Sequence, residues 1–361
     1  MIRAAARIAA TLTLSASVVL AASWLRPAAQ SAPLALEPKP PAAHHKAHRP
    51  AAKHAPAPAG AQSGSDRNHA PTTDTAHGPE PDLAYGAFQR GYFLTAFAQA
   101  TKRAEENGDP AAMTLLGELY AAGIGVSQDD AKAAEWYRLA AARGDRSAMF
   151  ALAMFSLQGR AGPRDRQASA KWLAAAAKLG HPLAAYDLAL LYIEGQLFPQ
   201  DFTRAAELLR AAAEAGNPEA QYALGTLYKE GRGVNKDMSQ AVRLWALASL
   251  ADNIDAEVEY AIALYNGDGV AKNEEAAAIL FRKAALRGSA IAQDRLARIL
   301  SAGRGAAANP IEAAKWHLVS KARGETDLML DDFVNNLDAA TRAAAEKAAK
   351  PWLDAIKKPP S

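Results

Sequence analysis

From Asp109 onward, small and apolar residues return on a fixed period. Alanine stands at 112, 148, 184, 220, 256 and 292, each 36 residues after the last. Four positions further on come Leu116, Leu152, Leu188, Leu224, Tyr260 and Leu296, and the next residue is always Gly or Ala (117, 153, 189, 225, 261 and 297). That spacing puts the three positions on neighbouring faces of one helical segment. Glycine then follows at 123, 159, 195, 231, 267 and 303, with Asp or Asn six residues later at 129, 165, 201, 237, 273 and 309. A second glycine series runs 108, 144, 180, 216, 288 and 324, interrupted only by Asp252. A self-similar period of this length is the signature of stacked supersecondary units.

Each unit predicts two helices. Asp109-Pro110 and Asn217-Pro218 place an N-cap before Pro at the first helical position. The first glycine ends helix A in a left-handed cap. The Asp or Asn at 129 and its equivalents caps helix B, and Asn309-Pro310 repeats the cap-plus-proline device. Small residues at 117 and its equivalents let helix A approach its neighbour closely. Trp136, Trp172 and Trp316 share one helix B position with Leu208, Leu244 and Leu280. In the fifth unit, EYAIALYNGDGV sets its tyrosines one residue off, which predicts a local irregularity between Asp252 and Gly267.

The expected fold is therefore all-α: a solenoid over 82–324 with six hairpins at 109–144, 145–180, 181–216, 217–252, 253–288 and 289–324. Terminal repeats of a solenoid need covering, because each would otherwise expose an apolar face. Leu83–Gly108 reads as the helix B half of a preceding unit. Residues 325–361 read as closing helices, with Asp338 as a cap and Pro351 as a break.

The pattern A-x-x-x-L-G-x-L-Y-x-x-G-x-G-V, then Asp, then A-x-x-W-Y-x-x-A-A-x-x-G, resembles the Sel1-like repeat, a relative of the tetratricopeptide repeat. Ala112–Val126 with Ala133–Gly144, and Ala220–Val234, carry it most closely. Units two and three depart in the loop, with GRAG and GQLF in place of GxGV. The resemblance implies an α-solenoid that binds proteins. In bacterial relatives with signal sequences it implies partners such as membrane sensor kinases or envelope-assembly machinery. Penicillin-binding activity belongs to a cysteine-rich subgroup, and this chain has no cysteine.

Residues ahead of the solenoid are a different material. Arg3 and Arg7 precede the 18 uncharged residues Ile8–Leu25. A basic start before an apolar run is a secretory signal pattern, and Ala21-Ala22-Ser23 permits a cut before Trp24. The run also approaches bilayer length, so 1–26 reads as a signal peptide or an uncleaved membrane anchor. Either way the solenoid is expected in the periplasm, free or tethered to the inner membrane. Residues 27–81 hold most of the 20 prolines and little aliphatic bulk, the composition of a disordered linker. His44, His45, His48 and His54 cluster there among Lys46, Arg49 and Lys53. Interleaved cations oppose a divalent metal, so the cluster reads as linker composition rather than a metal site.

Charge and motif content narrow the function. Lys and Arg number 41 against 38 Asp and Glu, too even for the basic surface of a nucleic-acid binder. Without cysteine there is no thiol nucleophile, disulfide framework or Cys-ligated zinc. S-x-x-K, H-E-x-x-H, G-x-S-x-G and Walker A motifs are absent. His181 and His317 are the solenoid's only histidines and fall in different units. No enzyme activity, cofactor or metal is expected.

What remains is surface. Helix A positions 115, 118 and 122 and their equivalents vary most between units and share one stripe. The middle units place Asp187, Glu194, Glu230 and Glu259 there, and the last places Arg295 and Arg298. One reading is ordinary solvated helix; the other is an acidic groove for a basic or polar partner segment, whose charges would be poorly offset in the free protein. Tyr265 is the main off-framework aromatic. The expected function is a non-enzymatic scaffold, adaptor or regulator of the envelope; the alternative is a structural component binding polysaccharide or peptidoglycan through exposed aromatics.

Overall fold

The computed structural model describes residues 82–357, which form sixteen α-helices and no strand. The predicted signal or anchor, the linker and its histidine cluster lie outside the described residues. Two helices, α1 (Leu83–Gln89) and α2 (Phe93–Asn107), precede the repeats. The six hairpins follow as α3 (Pro110–Ala122) with α4 (Asp130–Ala142), α5 (Arg146–Gln158) with α6 (Arg166–Lys178), and α7 (Pro182–Glu194) with α8 (Phe202–Glu214). Then come α9 (Pro218–Glu230) with α10 (Met238–Leu250), α11 (Ile254–Asn266) with α12 (Glu274–Leu286), and α13 (Ala290–Ala302) with α14 (Pro310–Ala322). Two closing helices, α15 (Leu328–Asn335) and α16 (Ala339–Lys357), complete the array. Through the repeats each helix packs mainly on its chain neighbours, the nearest-neighbour arrangement of a solenoid, and the last helix, α16, packs on α14.

Every repeat helix has 13 residues, and its N-terminus is capped by a side chain. Asp109 Oδ1 accepts from the Ala111 amide at 2.9 Å, and Asp129 Oδ1 from the Lys132 amide at 3.0 Å. Helix A ends in glycine at positive φ, as at Gly123 (φ 66°). After helix B the left-handed residue is glycine except at Asp252, which adopts φ 62°. Arg287 Nη2 donates to the Asp252 carbonyl at 2.6 Å, holding that conformation in place.

Spacing in the GxG loop has a separate cause. A Cβ on Gly233 would lie 2.1 Å from the Phe202 carbonyl oxygen, so the loop lies directly on the preceding helix B start. In unit two Ala161 takes the equivalent left-handed conformation at φ 55°, so GRAG keeps the geometry at some strain.

Apolar positions of the repeat form a continuous core. Leu116 and Leu296 are fully buried, and Leu152, Leu188 and Leu224 nearly so. Truncating any of them to Ala is expected to cost about 2–5 kcal/mol. Gly117 sits against Tyr137, where a Cβ would meet the ring at 2.5 Å, and Gly225 sits against Trp245 at 2.6 Å. Where helix B offers Leu173 or Leu209 instead, helix A carries Ala153 or Ala189, all buried. In the first four units the small residue thus follows the width of the facing side chain, whereas units five and six carry Ala261 and Ala297 with Phe281 and His317 at the equivalent helix B position.

Three sequence expectations are corrected. The fifth unit shows no irregularity: α11 is α-helical throughout and ends on Gly267 at φ 85°. Tyr260 occupies the large-residue position in register and Tyr265 stands where Ala121 does, so the change is substitution, not slippage. Leu83–Gly108 is two helices, broken at Gly91 (φ 79°), rather than one. Pro351 lies inside α16 instead of ending it. Beyond it Trp352, Leu353 and Ile356 dock on the last core, and Trp352 meets Trp316 edge-to-face at 5.0 Å, which outweighs the lost backbone hydrogen bond. Asp338 does cap this helix, accepting from the Thr341 amide at 2.9 Å.

Candidate interaction face on the first helices

The unit-to-unit junctions are braced by residues about 30 apart, each with its own chemistry. Arg160 clamps Asp130 at 3.0 and 2.5 Å and also donates to the Ala121 carbonyl. At the next junction the signs reverse, with Arg166 against Glu194 at 3.2 Å and Gln196 at 3.4 Å. Arg232 then lies over the Phe202 ring at 4.0 Å, and Arg304 pairs with Glu274 at 2.5 Å. On the helix A side Lys229 reaches Glu259 at 2.8 Å.

These braces decide the fate of the predicted acidic stripe. Glu194 belongs to Arg166, Glu259 to Lys229, and Glu230 to Arg232 at 3.2 Å. Asp187 is half-buried without a cation, and burial pushes its carboxyl up to about 7. The expected groove of poorly offset negative charge is therefore absent: three carboxylates are paired, and the fourth lies where water is too scarce to support its charge. Glu118, on the same stripe in the first unit, behaves like Asp187. Burial, then the neighbouring Asp145, raise it to about 7.

The cationic end of the stripe differs. Tyr265 and Asn266 of α11, with Arg295 and Arg298 of α13, line one concavity of about 190 Å³ floored by Ile262, Phe281 and Ile299. Phe281 and Ile299 are each 2% exposed. Arg298 is tied by its Nε to Asp327 at 2.5 Å and to Asp294 at 3.5 Å. Arg295 is exposed and makes no hydrogen bond or ion pair among the described residues. Arg304 lies 5.5 Å from the Tyr265 ring centre. The structure thus brings Tyr265, Arg295 and Arg298 together and leaves the four acids as separate junction elements.

Both histidines among the described residues are structural. His181 Nδ1 accepts from the Ala184 amide at 3.2 Å, capping α7, and its ring stacks on Phe150 at 4.6 Å. Burial, then Arg146, lower its pKa to about 4, which keeps Nδ1 an acceptor. His317 Nε2 lies 2.8 Å from Asp331, tying α14 to α15. Among the described residues no group of three His, Asp or Glu is placed to hold a metal, and no helix is long and apolar enough to cross a membrane.

Sequence reasoning missed Glu257, fully buried and paired with Lys283 at 3.0 Å and Arg287 at 3.4 Å. The one available signal was Asp252 breaking the glycine series five residues earlier.

A stack of capped helix pairs with a shared framework and a varied surface is an α-solenoid repeat protein. The chain belongs to the Sel1 repeat family, whose model matches six consecutive copies at 110–145, 146–181, 182–217, 218–253, 254–289 and 290–324. It is similar to a protective antigen of uropathogenic Escherichia coli with an SLR fold, at 25% identity over 74% of this chain and 68% of that one, with a TM-score of 0.54. It shares the fold of a Sel1 repeat protein from Oxalobacter formigenes, at 24% identity over 68% of this chain and 97% of that one, TM-score 0.56. No curated protein matches the chain. Sel1 repeat proteins mediate protein–protein interaction, and their scaffold is typically non-catalytic.

Proposed function

We propose that this chain is a non-enzymatic interaction scaffold of the bacterial envelope, exported or anchored by residues 1–26 and binding its protein partner along the helix A face. The observation that carries the binding reading is the contrast on that face. Framework positions recur through all six units, while positions 115, 118 and 122 and their equivalents differ, being buried at Leu115, Leu190 and Ala223 but exposed at Arg295 and Arg298 beside Tyr265. Export rests on the basic start and the uncharged run Ile8–Leu25. A membrane sensor kinase or an assembly factor is the kind of partner such a tethered solenoid fits.

Two experiments test this. Crosslinking of the full chain in envelope extract, with and without glycan digestion, should capture defined proteins regardless of digestion; capture lost on digestion would transfer the function to polysaccharide or peptidoglycan. Fusion of residues 1–81 to a reporter active only in the periplasm should give activity, and silence would overturn the localisation.

A further inference from the structure

The geometry points to a specific ligand for the concavity between α11 and α13: the C-terminal carboxylate of a partner protein whose last side chain is apolar. This deepens the scaffold reading and rests on it.

Three features converge. First, two guanidinium groups and no carboxylate line the concavity. Arg298 spends its Nε on Asp327, so the edge bearing its terminal nitrogens is left for a ligand. Arg295, one turn earlier on α13, is exposed and makes no hydrogen bond or ion pair among the described residues, with Asp294 the charge beside it. An unpaired arginine three residues from a second one is suited to a carboxylate, which accepts from two guanidinium groups at once.

Second, the floor is apolar. Ile262, Phe281 and Ile299 would contribute little to holding a bare inorganic anion. A ligand that uses both parts must carry negative charge and hydrocarbon close together.

Third, the volume is small. About 190 Å³ lies below the roughly 300 Å³ at which sites for drug-sized ligands begin, and suits a single residue. A chain terminus places its carboxylate and its side chain on the same Cα. An internal Asp or Glu spends its own side chain on the charge and must draw hydrocarbon from a neighbour outside so small a site. Tyr265 borders the same space, and the Asn266 side chain is turned aside to Asp268 at 3.1 Å.

The minimal probe is N-acetyl-leucine, tested against the full chain by saturation-transfer difference NMR. Its amide removes the charge, N-acetyl-glycine removes the hydrocarbon, and glucuronate supplies a carboxylate on a sugar. The expected result is saturable transfer to N-acetyl-leucine, at least fivefold weaker for the amide and for N-acetyl-glycine, and lost in Arg295→Gln. Arg243→Gln, an exposed arginine on the helix B side, should leave it unchanged. Absence of transfer, equal transfer to the amide, or persistence in Arg295→Gln would overturn the proposal. A signal from glucuronate alone would overturn it in favour of an acidic glycan. The scaffold reading fails separately: if Arg295→Gln abolishes N-acetyl-leucine binding yet the chain captures no envelope protein, the site stands and the scaffold does not.

Discussion

Glu257 has no exposed surface, and its carboxylate accepts from Lys283 Nζ at 3.0 Å across the fifth hairpin. Arg287 approaches the same oxygen at 3.4 Å, while the other oxygen has no hydrogen-bond partner. Units four and six carry Gln221 and Gln293 at this position, each donating to a carbonyl eight residues back, Ala213 at 3.2 Å and Ala285 at 3.0 Å. The equivalent acceptor in unit five is the Ser249 carbonyl. Glu257→Gln should therefore recover the neighbours' hydrogen bond and change stability by less than about 1 kcal/mol. Replacing Lys283 and Arg287 together by Ala leaves a carboxylate buried and uncompensated, and should cost about 3–5 kcal/mol. Urea midpoints at pH 7 measure both; equal losses would show that the acid is not held by its two cations.

Gly117 against Tyr137 makes a sterically sharper prediction. On an open helix surface Gly→Ala gains about 1 kcal/mol. Here the added methyl would enter the Tyr137 ring at 2.5 Å, so Gly117→Ala should destabilise by about 1–3 kcal/mol. Combining it with Tyr137→Leu recreates the Ala153/Leu173 pairing of unit two and should cost less than the two single changes added. A double-mutant cycle reads the coupling; strict additivity would mean that the glycine is not there to admit the ring.

The part of this fold legible in the sequence is the part decided within one unit. Caps such as Asp109 and Asp129 act two or three residues away, and glycine caps act on their own turn, so a 36-residue period exposes them. The junction braces were not legible, because the repeat conserves where they fall but not their chemistry: Asp130–Arg160, Arg166–Glu194 and Phe202–Arg232 have no residue type in common at equivalent ends except arginine. That is also why the acidic stripe misled. Glu194 and Glu259 are variable positions because each must match a partner in the adjoining unit. Arg295 is variable and unmatched, and periodicity alone does not separate the two cases. Pro351 was misjudged for a third reason: local helix-breaking chemistry is overridden by the docking of Trp352 on Trp316.

Asp187 predicts an unusual pH dependence. Burial raises its carboxyl from 3.8 to about 7, so between about pH 4 and 7 the folded chain binds a proton that the unfolded chain has released. Stability must then fall as pH rises through that window, opposite to the behaviour of a salt-bridged acid. Glu118 acts in the same direction. Asp187→Asn removes the effect at one site and should raise stability at pH 8 by about 1–3 kcal/mol while changing it little at pH 4.5. Urea midpoints at the two pH values check this; a variant less stable at pH 8 would mean that Asp187 is charged and stabilising in the folded state.

Removal of a whole unit tests the architecture. Deleting Asn217–Asp252 takes out 36 residues and joins Gly216, already left-handed at φ 87°, to Asn253. Gly225 and Trp245 leave together, so no ring loses its complementary glycine. Gly269 arrives where Gly233 lay on the Phe202 backbone, and Glu257 keeps Lys283 and Arg287 because all three belong to the unit that follows. The losses are confined to the junction: the Arg232–Phe202 contact, the Lys229–Glu259 pair, the hydrogen bonds of Gln221 to the Ala213 carbonyl and of Arg210 to Tyr228, and the contacts of Asp252 with Lys283 and Arg287. With nearest-neighbour energetics the shortened chain should be less stable yet fold, with helicity per residue unchanged by circular dichroism. Removing only Asn217–Val234 makes the harder case. It leaves helix B of one unit facing helix B of the next, removes Arg232 and Lys229 from the braces on either side of the cut and should reduce helicity beyond the residues removed. Equal helicity per residue in both deletions would show that the helices do not depend on the register of the stack.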